Sequence, residues 1–146
     1  MERDSIFLDT GAWIALVNSR DQWHQQAKKT YQMMPRYWER VSSIMVISET
    51  YTFLRYRMHA DVAIQFLRII EEAEEEGYLK VHYLDYGIRK LSEQILHDFQ
   101  DQNLSYVDAT SIAIMKLLGI RKVFGFDHHF LISGFELVPS LDGNMH

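Results

Sequence analysis

The feature that most constrains the fold is an apolar run near the start of the chain that ends in an acid. Ile6, Phe7 and Leu8 are followed by Asp9 and Thr10, and then by apolar residues at helical spacing. A continuous apolar run is typical of a central strand that is covered on both faces of a parallel sheet. Asp9 therefore lies where the chain leaves the sheet and begins a helix. In open α/β sheets, ligands bind at this carboxyl edge.

Two interpretations of Asp9 follow from this position. Asp is a favoured N-cap, so its carboxylate can bond to the first amides of the helix that contains Trp13 and Leu16. Alternatively, Asp9 is the first of several acids that gather around a metal ion. A lone acid at a strand end does not separate the two interpretations, so the other acids of the chain must do so.

Length and composition limit the class of protein. The 146 residues contain 47% hydrophobic residues and no cysteine. The length predicts a single domain over 1–146, with a core over about 5–138 and a frayed tail from about 140. The lack of cysteine excludes disulfides and thiolate metal sites and favours a cytoplasmic setting. We expect no signal peptide and no membrane span, because no apolar run approaches the roughly 20 residues that a spanning helix needs.

The net charge of −5 is unevenly distributed. Residues 1–68 hold nine Lys or Arg against seven Asp or Glu, whereas residues 69–146 hold six against thirteen. The first half can therefore offer a modest basic surface to a nucleic acid. Scattered, solvated charges explain the same residues equally well. The seven residues concerned are Arg20, Lys28, Lys29, Arg36, Arg40, Arg55 and Arg57.

Helical and strand patterns alternate along the rest of the chain. After the helix that follows Asp9, predicted helices cover about 22–33, 44–58, 60–76, 85–99 and 105–119. Predicted strands cover 41–43, 79–84, 122–127 and 135–138. This order indicates an α/β domain with a mainly parallel sheet.

Three further acids lie in settings comparable to that of Asp9. Glu49 falls in an apolar-aromatic sector of its helix, where it either lines a site or reaches solvent or an Arg. Asp108 opens a strongly apolar helix, and Ser105 three residues earlier also fits a capping box. Asp127 ends an apolar strand. Four neighbouring carboxylates need a compensating cation, and oxygen ligands without Cys or paired His suit Mg²⁺ or Mn²⁺.

Four short motifs also carry a family resemblance. They are Phe7-Leu8-Asp9-Thr10, Ile47-Ser48-Glu49-Thr50, Leu104-Ser105-Tyr106-Val107-Asp108-Ala109 and Phe126-Asp127-His128-His129-Phe130. In their order and spacing, the chain resembles PIN-domain ribonucleases of the VapC type, which occur in bacterial and archaeal toxin–antitoxin pairs. The resemblance covers about 5–138 and implies a PIN-like three-layer α/β/α sandwich around a mainly parallel sheet.

The same resemblance implies the chemistry and the partners. Asp9, Glu49, Asp108 and Asp127 would bind Mg²⁺ or Mn²⁺ and carry the catalysis, and the hydroxyl of Thr10 would support the site. The activity would be endonucleolytic hydrolysis of RNA with water as the nucleophile. The partners would be the RNA substrate, a small antitoxin that blocks the site, and a second copy of the chain in a homodimer.

Other interpretations lead to different experiments. A catalytically weak PIN-like module could act by binding RNA or a protein, although four retained acids argue against it. The segment Leu8-Asp9-Thr10-Gly11-Ala12 also resembles the active-site turn of retroviral-type aspartic proteases. Those enzymes are almost entirely β and need a glycine-rich flap, whereas this chain has no glycine between Gly11 and Gly77. His128 and His129 follow Asp127 at a surface turn, and we expect them to be incidental.

Overall fold

The structure is a computed structural model that describes residues 4–140. The strands are β1 (Ser5–Leu8), β2 (Glu39–Ser43), β3 (Lys80–His82), β4 (Lys122–Phe124) and β5 (Glu136–Val138). The helices are α1 (Thr10–Val17), α2 (His24–Met33), α3 (Ile44–Arg57), α4 (Ala60–Glu75), α5 (Tyr86–Asp98), α6 (Tyr106–Leu118) and α7 (His129–Ile132). The tail that we predicted to be frayed lies, beyond Ser140, outside the described residues.

The five strands form one sheet in the order β3-β2-β1-β4-β5, and every neighbouring pair is parallel. Phe7 of β1 pairs with Val41 on one side and with Val123 on the other. The chain winds outward from β1 to β3 and then crosses back to β4, so the strand order reverses between β1 and β4. In open α/β sheets this switch point is where ligands bind. Helices flank both faces, which confirms the predicted three-layer fold.

The hydrophobic core is built around β1 and α6. Ile6, Phe7 and Leu8 have no exposed surface, as a central strand covered on both faces requires. In α6, every residue from Ala109 to Met115 is buried. Gly119 ends α6 in the left-handed conformation, with φ 69°, which a glycine adopts without strain. The strand at the switch point and the helix that carries Asp108 are therefore rigidly held.

Several predicted boundaries differ from the structure. α2 begins at His24 instead of residue 22, and the predicted strands over 79–84 and 122–127 shorten to β3 and β4. The short helix α7 was not predicted, because four residues are too few to show a helical period. No helix between residues 4 and 140 combines the length and the apolar character that crossing a bilayer requires.

Candidate active site

A cleft of about 360 Å³ opens at the carboxyl ends of β1 and β4. Its lining includes all four acids that the sequence analysis selected, and it includes neither Lys nor Arg among the described residues. The lining residues are Asp9, Thr10, Gly11, Ile14, Asp21, Trp23, Glu49, Phe53, Asp108, Phe126 and Asp127. The fold thus brings together side chains from three helices and two strand ends. Their role in metal binding and catalysis stays a prediction.

Asp9 is the most deeply buried of these acids. It occupies the N-cap position of α1, but its side chain makes no capping hydrogen bond, so the capping interpretation of Asp9 is wrong. Its carbonyl accepts the N–H groups of Ala12 and Trp13, and its own N–H donates to the carbonyl of Phe124 at 3.0 Å. The backbone therefore continues the sheet into the helix and leaves the carboxylate to face the cleft.

The environment of Asp9 disfavours its charged form. Burial, and next the charge of Asp108, raise the pKa of Asp9 from 3.8 to about 7, and the charges of Asp127 and Glu49 act in the same direction. The amide of Thr10 opposes this rise. A carboxylate in this position without a cationic partner is costly unless a cation is supplied from outside.

The end of β4 approaches Asp9 closely at Gly125. A Cβ atom built at Gly125 would lie 3.3 Å from the Cβ of Asp9 and 3.6 Å from its Oδ2. The first distance is tighter than ordinary van der Waals contact. Because glycine has no side chain, the strand end can pass beside Asp9 and carry Asp127 into the cleft.

Asp108 has both of the roles that the sequence analysis considered. Its Oδ2 accepts the N–H of Ser105 at 3.0 Å, and its own N–H donates to the Ser105 hydroxyl at 3.0 Å, which is a complete capping box. Burial raises the pKa of Asp108, the hydrogen bonds to Ser105 lower it, and the charge of Asp127 raises it further. The cap therefore fixes the carboxylate at the start of α6 and helps to keep it ionised.

Asp127 pairs with a histidine that we had expected to be incidental. The N–H of His129 donates to Asp127 Oδ1 at 2.9 Å, and His129 Nδ1 lies 2.8 Å from the same oxygen. The ligand atoms of Asp108, Asp127 and His129 all lie within 4.8 Å of one another. The structure thus places His129 beside two of the selected acids, a position that the sequence did not predict. The exposed side chain of His128 lines a different, smaller hollow.

Glu49 reaches the cleft from the middle of α3. It is half-buried and lies one turn before Phe53, which lines the same cleft. The alternative partner, a nearby Arg, is absent: within residues 4–140 Glu49 forms no ion pair. The aromatic sector around Glu49 is not core, since Tyr56 is 83% exposed. Phe53, which is 36% exposed, is the member of this sector that lines the cleft.

Thr10 provides an observation that bears on the predicted metal. Its Oγ1 is buried, lies in a residue that lines the cleft, and has no hydrogen-bond partner within the described part of the chain. The supporting hydrogen bond of Thr10 thus stays a prediction. A buried hydroxyl without a partner fits a site that is completed by an ion with its bound water. The carboxylates fit Mg²⁺ or Mn²⁺, since carboxylate and water ligands suit both, and the imidazole of His129 adds a single nitrogen donor beside them.

Comparisons with known proteins agree with this arrangement. A family model described as the PIN domain matches residues 6–134. The 23S rRNA-specific endonuclease VapC20 of Mycobacterium tuberculosis H37Rv is 31% identical over 132 residues, which cover 89% of this chain and 95% of the relative. The crystal structure of M. tuberculosis VapC20, titled a Sarcin-Ricin loop cleaving toxin, matches with a TM-score of 0.81 and 29% identity over the same shares.

More distant structures share the fold alone. VapBC2 from Rickettsia felis, bound to a DNA fragment from its promoter, matches with a TM-score of 0.69 at 9% identity and covers 91% of this chain and 96% of that one. VapBC-1 from nontypeable Haemophilus influenzae matches with a TM-score of 0.62 at 15% identity, with the same two shares. With a family model that spans nearly the whole sheet and a relative above 30% identity, this chain belongs to the PIN domain family.

Proposed function

We propose that this protein is a divalent-metal-dependent endoribonuclease that hydrolyses RNA phosphodiester bonds, and that it is the toxin of a toxin–antitoxin pair. The observation that carries the proposal is the cleft at the sheet switch point, which is lined by the four selected acids and Asp21 and, among residues 4–140, by neither Lys nor Arg. The likeness to the endonuclease VapC20 supports RNA as the substrate.

The ion in this proposal is Mg²⁺ or Mn²⁺. Asp108, Asp127 and His129 would hold it most directly, and Asp9 and Glu49 would complete the site from β1 and α3. Such an ion, when bound, supplies a water of lowered pKa and neutralises charge that develops at the phosphate. It also removes the repulsion between the acids and an RNA backbone.

The protein's own contribution is to position these groups in advance. Ser105 fixes the carboxylate of Asp108 and His129 fixes that of Asp127, so neither side chain must be ordered when substrate arrives. Asp9 is held by a backbone that belongs to the sheet. Because Asp9 is buried, its carboxylate lies in a medium where its interaction with a cation is stronger than in water.

The proposed partners are a small antitoxin and a second copy of the chain. A toxin-antitoxin complex from Klebsiella pneumoniae shares the fold, with a TM-score of 0.62 at 14% identity, and this supports the antitoxin as a partner. The isolated chain exposes large apolar side chains on α3 and α4, which a protein partner would cover: Phe53, Tyr56, Ile64 and Ile69. An antitoxin seated over Phe53 would lie at the mouth of the cleft and block it.

The test is cleavage of a structured RNA, one that contains a large-subunit ribosomal RNA segment, by the purified protein. We expect cleavage with Mg²⁺ or Mn²⁺, none with EDTA, and a loss of at least about 1000-fold in Asp9→Asn. A bound metal supplies several kcal/mol of transition-state stabilisation, and each 1.4 kcal/mol is a factor of ten. Asn keeps the shape of Asp9 and removes the charge.

The matched control is Asp4→Asn, which makes the same change in an exposed acid at the opposite end of the sheet. This variant should cleave like the parent protein. If the RNA stays intact with both metals, while calorimetry still shows a metal bound by the parent and not by Asp9→Asn, the protein is a binding module in the PIN fold and the nuclease proposal fails.

A further inference from the structure

An aromatic pair forms one wall of the acid cleft and has no part in the metal chemistry proposed above. The rings of Trp23 and Phe126 stack with their centroids 5.1 Å apart and their planes inclined by only 5°. Both residues line the cleft beside Asp9 and Asp127. We infer that this pair is a stacking platform for an unpaired nucleobase next to the scissile phosphate. The inference rests on the proposed function and names the class of RNA that the site accepts.

The platform is held in a fixed place relative to the acids. Phe126 directly precedes Asp127, and its ring meets the ring of Phe124 edge to face, at 6.4 Å and 71°. Phe124 is fully buried, so this contact ties the platform to the core. Trp23 lies at the start of α2, where its backbone N–H donates to Asp21 Oδ1 at 2.8 Å. A base on the platform would therefore take a defined position relative to the carboxylates.

Packing alone does not explain where Trp23 lies. The other two tryptophans, Trp13 and Trp38, are each 7% exposed, whereas Trp23 is 40% exposed. The stacked pair also separates the acid cleft from a second hollow of about 80 Å³, whose lining includes Gln26 and His128. The pair is thus a partition with open space on both sides. A large ring that served only the core would be expected inside it.

The chemistry of the cleft explains why such a platform is useful. Carboxylates and a metal ion recognise a phosphate, and phosphates are the same at every nucleotide. A ring face adds the binding of a base, because every base has a π-face that stacks on an aromatic side chain. Bases inside an RNA duplex already stack on their neighbours, so only a nucleotide in a loop, bulge or single strand can use the platform.

The test measures binding without turnover, in the Asp9→Asn protein with EDTA, so that neither the parent nor the variant site holds a metal. The probes are a short oligouridylate and an RNA duplex of the same length, each with a dye label whose fluorescence anisotropy reports binding. Trp23 is the exposed tryptophan, so its own fluorescence should also be quenched by the single strand and much less by the duplex. In the anisotropy measurement, adding Trp23→Ala should weaken oligouridylate binding by about 5- to 150-fold, the equivalent of the roughly 1–3 kcal/mol of one base stack, and should leave duplex binding unchanged.

Two further variants separate stacking from a general effect. Trp23→Phe keeps an aromatic face and should retain most of the affinity. Tyr37→Ala removes an aromatic ring that is 70% exposed and lies outside the cleft, and it should change nothing. Equal affinity of the Trp23→Ala protein and its parent, or an equal loss for single strand and duplex, would overturn the platform.

Failure of the platform and failure of the nuclease proposal give different experimental results. Trp23→Ala in the otherwise native chain should bind Mg²⁺ as the parent does, because no metal-binding group has changed. Metal-dependent cleavage that is equal in Trp23→Ala and the parent protein, together with equal affinity for the single strand, would support the nuclease and contradict the platform. Oligonucleotide binding that depends on Trp23, with no cleavage in either metal, would do the reverse.

Discussion

Acidic residues have opposite surroundings at the two ends of the parallel sheet. At the amino end, Asp4 lies 3.6 Å from the Nζ of Lys122, and Glu39 lies 3.3 Å from that of Lys80. At the carboxyl end, no Lys or Arg of the described residues lines the acid cleft, and Asp9 within it is only 5% exposed. The chain therefore supplies lysine countercharges to the acids at the amino end, and within the described residues it supplies no Lys or Arg to the acids of the cleft.

The basic residues of the chain follow the same division. Arg36 and Arg40, two of the seven that the sequence analysis grouped, line a cleft of about 430 Å³ at the amino end. Arg40 lies over the ring of Tyr31, at 5.5 Å from its centroid, and Lys122 lies over the ring of Trp38 at 5.2 Å. Basic side chains are thus held by aromatic rings and acids at one end of the sheet, and none of those between residues 4 and 140 lines the cleft at the other end.

The largest effect expected from this comparison is on the pH dependence of stability. The pKa of Asp9 is about 7 in the folded protein and near 3.8 in the unfolded chain, so the folded state binds the proton more tightly. Stability that is present below pH 4 is therefore lost as the pH rises through 7. The difference corresponds to about 4 kcal/mol in metal-free protein.

Urea denaturation in EDTA checks this prediction. Asp9→Asn should be more stable than the parent by up to that amount at pH 8, and the two should converge near pH 4. The matched change Asp4→Asn, at the paired end of the sheet, should give no gain at pH 8. If the free energy of unfolding changed with pH equally in the parent and in Asp9→Asn, the carboxylate of Asp9 would not destabilise the folded protein at high pH.

A somewhat smaller effect is expected when the missing countercharge is supplied. Mg²⁺ at 100 times its dissociation constant should raise the free energy of unfolding by about 2.7 kcal/mol at pH 8, because it binds the folded state alone. The same gain is expected in Asp4→Asn and most of it should vanish in Asp9→Asn. A gain that is equal in all three proteins would place the ion elsewhere.

The next effect concerns the cap that fixes Asp108. Ser105→Ala removes the hydroxyl that caps α6 and should cost about 1 kcal/mol of stability. It should also weaken Mg²⁺ binding modestly, because the start of α6 loses the hydroxyl that bonds the Asp108 N–H, while the backbone N–H of residue 105 still bonds the Asp108 carboxylate. Ser43→Ala is the matched control, since Ser43 caps α3 through the N–H of Val46 at 3.1 Å and does not line the cleft. It should cost a similar amount of stability and leave the Mg²⁺ affinity unchanged, as calorimetry would show.

The smallest effect is expected at the paired end. Lys80→Met breaks the contact with Glu39, in which the lysine side chain is 67% exposed. Exposed pairs of this kind contribute about 0–1 kcal/mol, so thermal and urea denaturation should change little. A loss as large as that of a buried charge would mean that the two ends of the sheet do not differ as described.

The sequence predicts the scaffold of the site better than its details. The apolar run before Asp9 and the apolar helix after Asp108 each specify a buried element, because their patterns are local and unambiguous. The behaviour of the Asp9 side chain is not local. Besides the amide of Thr10, its carboxylate meets the charges of Asp108 and Asp127, which only the folded sheet brings near. The capping interpretation was reasonable for the isolated segment and fails in the folded chain.

His129 shows a second limit of the sequence. Its contact with Asp127 depends on the turn between β4 and α7, which has no periodic pattern to predict it. The useful signal was the spacing, since a residue two positions after an Asp can donate its N–H to that carboxylate in an Asx-turn. An Asx-turn at Asp127 therefore predicts that residue 129 lies beside the acids.

Gly125 separates two properties of the site that are usually altered together. A single methyl group there would press on Asp9 from the β4 side, at 3.3 Å, without changing any charge in the cleft. Substitutions of the acids change charge and shape at once, whereas Gly125→Ala changes shape alone. This position thus gives an evolving or engineered chain a way to adjust how well a cation fits while every ligand is kept. The affinities of the site for ions of different radius should change most in Gly125→Ala.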